Sequence, residues 1–113
     1  MMRNYAPHVV LIRATLVAID QYRPESKEAY LANTMVQDAI LMRLQEIGEN
    51  LARIRQIDRD IFAEVAPESW YQVIGLRNII SHGYHTIRQE MIWQIISAEL
   101  GELARSLEKL PER

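Results

Sequence analysis

The run Arg77-Asn78-Ile79-Ile80-Ser81-His82-Gly83-Tyr84 puts a guanidinium, an amide, an imidazole and a phenol within eight residues. Binding or cleaving a phosphodiester needs groups of these kinds close together. Cleavage of RNA without metal needs a base for the 2′-hydroxyl proton and an acid for the leaving 5′-oxygen. It also needs donors for the charge that develops on the phosphorus oxygens. Histidine is the side chain best poised for proton transfer near neutral pH. Arginine supplies permanently charged, bidentate donors. One imidazole from this run is one short of an acid–base pair, and two protomers facing each other would supply two.

Each residue also has a purely structural reading. Arg77 pairs with Glu46 or Glu49 of a preceding helix. His82 makes a favourable contact with a helix C-terminus. Asn78 is an interhelical amide, and Tyr84 packs behind a glycine cap. His82 and His85 lack a carboxylate at ligand spacing, so neither a metal site nor a cofactor is expected.

The elements that must carry this run read as helices. Val9, Ile12, Leu16 and Ile19 recur at helical spacing over residues 4–22, and Pro24 ends that stretch because proline lacks the donor. A long second helix is expected over 27–57, with Val36, Ile40, Leu44, Ile47, Leu51 and Ile54 as its stripe. A second row, Met35, Ala39 and Met42, widens the stripe, as for a helix with two neighbours. Gly48 interrupts the pattern, which suggests close approach of another backbone or a ligand. A connection over 58–67 holds a short helical turn at 60–65. The third main helix covers 69–82, with Gly83 as its C-terminal cap. Thr86 is placed to cap a fourth over 87–110, whose seam is Trp93, Ile96, Leu100, Leu103, Leu107 and Leu110.

On the third helix Trp70, Val73, Ile74 and Ile80 mark the apolar face, and Arg77 falls in the middle of it. Arg77 and His82, five residues apart, point about 140° away from each other on a regular helix. They converge only if the helix tightens near Ser81 or a symmetry mate brings a second copy of each.

At 113 residues, with 49% hydrophobic residues, the chain is expected to form one domain over 1–113. Four Gly, four Pro and the lack of alternation argue against a sheet. The fold expected is all-α, an antiparallel bundle of four to five helices that dimerises through the excess apolar surface. With no cysteine there is no disulfide framework. No membrane-length apolar run or export signal is visible, which points to the cytoplasm. A net charge of −2 means that any RNA contact is local, although eleven of the thirteen basic residues are Arg.

The segment from Arg77 to Tyr84 resembles the R-x4-H-x-Y motif of the HEPN superfamily, specifically HepT-like toxins. Gln37-Asp38-Ala39, Arg43, Glu46-Ile47-Gly48-Glu49, Trp70, Gly75-Leu76 and Trp93 resemble the pattern around it. Asn50-Leu51 departs from the small residues that often follow. The resemblance implies an all-α dimer with two motifs in one cleft. It implies a toxin of a toxin–antitoxin pair, a metal-independent endoribonuclease acting on RNA. Arg77 would stabilise the phosphate, His82 would transfer protons and Asn78 would position one or the other. It also implies a nucleotidyltransferase antitoxin of the MNT type that attaches AMP to Tyr84. The alternative is a non-catalytic helical module that binds a nucleotide or a partner.

Overall fold

The structure, a computed structural model, describes residues 4–111; the expected domain of 1–113 runs past these at both ends. The described chain is all-α, with no strand among the described residues. Its helices are α1 (Ala6–Tyr22), α2 (Lys27–Leu31), α3 (Thr34–Ile57), α4 (Arg59–Val65) and α5 (Glu68–His82). A 3₁₀ turn (Tyr84–Thr86) then leads to α6 (Gln89–Gln94), a π-helical turn (Ile95–Glu99) and α7 (Leu100–Leu107). α3 is the central helix. It packs α1 and α5, and α7 closes against both of those.

Most of the expected stripe of α3 is its buried face: Ile40, Leu44, Ile47, Leu51 and Ile54 are fully buried, and Val36 at its start is half-buried. Burying each such side chain stabilises the fold by about 1.5–3 kcal/mol. Trp70 of α5 is fully buried and stacks obliquely on Phe62 of α4, with ring centroids 5.4 Å apart. That contact pins the start of α5 beneath the short helix. No helix of the described residues is long and apolar enough to cross a membrane.

Three elements differ from expectation, each for a local reason. The helix expected over 27–57 is broken after Leu31. Asn33 stands in extended conformation and its Oδ1 accepts from the backbone N–H of Val36, starting α3 as an N-cap. Gln37 turns back to donate to the carbonyls of Tyr30 and Leu31, joining the two pieces across the break. Thr86 does not cap the last helix. Its hydroxyl donates to the carbonyl of Gly83 within the 3₁₀ turn, and α6 begins at Gln89. The final seam is interrupted by the π turn, which absorbs one residue. Ile92 is therefore buried before it, Ile95 and Ile96 in its first half, and Leu103, Leu107 and Leu110 after it, while Trp93 and Leu100 are only half-buried. Arg23 Nη1 donates to the carbonyl of Ile96 at 2.9 Å, filling an acceptor within that turn.

The second row of α3 is not core. Met35 is 81% and Met42 58% exposed. With Ile79 of α5, 40% exposed, they leave apolar surface uncovered on the protomer.

Two glycines on this face behave oppositely. A Cβ built on Gly75 of α5 meets nothing within 4 Å. Gly75→Ala therefore raises stability by about 0.5–1 kcal/mol through reduced freedom of the unfolded chain, read as a higher melting temperature. Gly48 is the contrary case and bears on the site.

Candidate functional site

α3 and α5 run antiparallel. Along one edge of their seam lie three polar side-chain contacts in register. Glu49 faces Arg77, Gln45 faces Ser81, and Asp38 faces Tyr84 just past the end of α5. The α3 members, with Met42 between them, step at 38, 42, 45 and 49, the spacing of one helix face.

Arg77 leaves α5 half-buried, as its place on the apolar face requires. Its Nε donates to the carbonyl of Ile74 at 3.1 Å, and its Nη1 donates to Glu49 Oε1 at 2.9 Å. The ion pair is partly solvated, with the two side chains 32% and 50% exposed. Nη2 has no partner among the described residues, so one corner of the guanidinium is left open. The aliphatic stem of Arg77 lies over Gly48: a Cβ at that position would sit 2.6 Å from the Val73 carbonyl oxygen and 2.8 Å from Arg77 Cγ. The glycine thus sets how closely α5 approaches α3 and where the guanidinium emerges.

A groove of about 750 Å³ runs along this seam, lined by Met42, Gln45, Glu46, Glu49, Ile74, Gly75, Arg77, Asn78 and Ser81. Gln45 Nε2 donates to Ser81 Oγ at 3.1 Å at one end. Glu46 is held by Arg43 of its own helix at 2.6 Å. The lining therefore carries two carboxylates and one guanidinium, and it is not a basic furrow.

Of the residues singled out in the sequence, Arg77 and Asn78 come together in this groove. His82 does not line it. α5 continues regularly through His82, so the tightening that would turn the imidazole toward Arg77 is absent, and His82 projects to solvent. No group of three or more metal-ligating side chains occurs among the described residues.

Tyr84 is 41% exposed, and its hydroxyl donates to Asp38 Oδ1. The hydrogen bond to the Asp38 carboxylate, helped by partial burial and by the charge of Asp38, pushes the Tyr84 phenol up to about 12. Tyr30 belongs to the same neighbourhood. Burial, then Tyr84 and Asp38, raise its phenol above the ordinary range, and its hydroxyl donates to Gln89 Oε1 at 2.6 Å. The folded Tyr84 releases its proton at higher pH than the unfolded one. Its contribution to stability is therefore complete below pH 10 and is lost as pH rises toward 12. The difference in melting temperature between wild type and Tyr84→Phe should accordingly shrink between these two values.

The described residues form an all-α bundle with a half-buried arginine and a flanking amide in one groove, and a solvent-facing histidine outside it. The chain belongs to the HepT-like ribonuclease family: residues 12–110 match the family described as "Ribonuclease HepT-like". Two relatives bearing the name "Putative RNase" are similar to it. One, from Methanocaldococcus jannaschii, is 29% identical over 79 residues, covering 70% of each chain. The other, from Caldanaerobacter subterraneus subsp. tengcongensis, is 22% identical over 111 residues, covering 98% of this chain and 95% of the relative. No solved structure matches the chain.

Glu49 was in view from the sequence only as a counter-ion, and Gln45, Ser81 and Asp38 were not singled out as site residues. A signal did exist for the α3 members, since positions 38, 42, 45 and 49 share a helix face. That face could not be matched to α5 without knowing the antiparallel register.

Proposed function

We propose that this protein is the toxin of a toxin–antitoxin pair, a metal-independent endoribonuclease that works as a homodimer. The observation that carries this reading is the groove holding Arg77 and Asn78 along α5, in a chain of the HepT-like family. Arg77 binds the scissile phosphate through its open corner, with Asn78 positioning the phosphate or the base beside it. His82 transfers protons. It lies outside the groove of its own protomer, so it works at the groove's rim or in the cleft shared with a second copy. Self-association through Met35, Met42 and Ile79 would cover the apolar surface beside the groove. It would also bring a second Arg77 to offset the two carboxylates of the lining.

Tyr84 is the proposed site at which an MNT-type nucleotidyltransferase antitoxin attaches AMP. Its phenol is exposed and lies two residues beyond His82. An adenylyl group there adds bulk and negative charge where an RNA backbone must lie. Modification also requires the hydroxyl to leave Asp38.

The test is incubation of the purified protein with total RNA in excess chelator. Cleavage to 2′,3′-cyclic phosphate and 5′-hydroxyl ends is expected, and it should be absent when Tyr84 carries AMP. Tight binding without turnover would instead favour a non-catalytic module.

A further inference from the structure

The groove contains a titratable group that the ribonuclease reading leaves without work. Among the described residues, its lining holds no imidazole but two carboxylates, Glu46 and Glu49. Glu46 is held by Arg43. Glu49 lies directly against Arg77, with its two oxygens 2.9 and 3.5 Å from Nη1. Its side chain is half exposed, so one edge of the carboxylate remains open to the groove.

Resting on the ribonuclease reading, we infer that Glu49 is the general base of the reaction, taking the 2′-hydroxyl proton while Arg77 holds the phosphate. The geometry follows from the substrate. In RNA the attacking 2′-oxygen is a neighbour of the phosphate it attacks, roughly 3–3.5 Å from phosphorus in a reactive conformer. A carboxylate hydrogen-bonded to the guanidinium that binds that phosphate is therefore held beside the 2′-hydroxyl.

The step balances. The 2′-O–H bond breaks and its proton passes to Glu49. The 2′-oxygen bonds to phosphorus as the P–O5′ bond breaks. The leaving 5′-oxygen takes a proton from the His82 imidazolium. Glu49 ends protonated and His82 neutral, and water resets both. With this division of labour, base and acid come from different side chains, and the reaction no longer needs two imidazoles.

The test compares wild type, Glu49→Gln and Glu49→Asp on an end-labelled oligoribonucleotide in chelator. Binding is read separately by anisotropy with the same sequence bearing 2′-O-methyl groups. Glutamine keeps an acceptor for Arg77 but cannot take the proton. Expected for Glu49→Gln is a fall in kcat of about 10²–10⁴-fold, with binding of the blocked oligonucleotide unchanged or tighter. Aspartate should restore part of the rate. Glu49→Gln cleaving at the wild-type rate or faster would overturn the proposal, because Glu49 would then be only a counter-ion competing with phosphate. Loss of binding with kcat preserved would also overturn it, since Glu49 would then merely position Arg77. Failure of wild type itself to cleave would remove the ribonuclease reading along with it. That outcome is distinct from an active wild type matched by its Gln variant. Melting curves of all three proteins separate loss of fold from loss of chemistry.

Discussion

Arg77→Ala should reduce RNA cleavage about 10²–10³-fold, the usual effect of removing a preorganised donor to a charged transition state. His82→Ala should cost about 10²–10⁴-fold, the range for a lost proton-transfer group. Neither substitution should unfold the protein. The ion pair that Arg77 makes is partly solvated, and pairs of that kind stabilise by about 0–1 kcal/mol. His82 is exposed at the end of α5, where only a helix-terminus contact of about 0.3–1 kcal/mol is lost. Large activity losses with nearly unchanged melting temperatures would mark both as site residues. The reverse pattern for Arg77, a large drop in melting temperature with cleavage intact, would make it a scaffold ion pair. Arg77→Lys sharpens the distinction, because it keeps the charge and loses the planar fork. Partial activity is expected from it. Equal cleavage by wild type, Arg77→Ala and His82→Ala would remove the assignment.

The second large effect is structural. In an ordinary helix interior, Gly→Ala is stabilising by about 0.5–1 kcal/mol, which is the expectation for Gly75. Gly48→Ala should have the opposite sign. Its new methyl meets the Val73 carbonyl oxygen at 2.6 Å, and backbone of a packed helix cannot swing aside as a side chain can. α5 must move off α3, at a cost of about 1–3 kcal/mol for overpacking, seen as a melting temperature lower by several degrees. The same displacement shifts Arg77, whose Cγ lies 2.8 Å from that methyl position. Cleavage should therefore fall more than stability explains when both are measured well below the melting temperature. A Gly48→Ala variant as stable as wild type would show that the two helices are not held at this distance.

Much of the fold was legible because amphipathic periodicity is a local property. The α3 stripe from Ile40 to Ile54 and the Trp70–Ile74 face of α5 are buried as their spacing requires. The misses fall where a short-range competitor overrode the period. Asn33 capped a helix that the apolar pattern alone would have continued. One extra residue in the π turn moved Trp93 and Leu100 off the seam. Met35 and Met42 fit the pattern of a second buried row, yet they face solvent, because periodicity tells which residues share a face and not what covers it.

The site divides in the same way. Sequence by itself determined the residue types, their order on α5, and the divergence of Arg77 from His82, since a helix turns by a set angle per residue whatever surrounds it. Tertiary structure alone decided that Glu49, rather than Glu46, meets Arg77, that Asp38 takes the Tyr84 hydroxyl, and that Gly48 sets the depth of the groove. Those facts depend on the antiparallel register of α3 against α5. Register is a property of two surfaces fitted together, and no single stretch of chain encodes it.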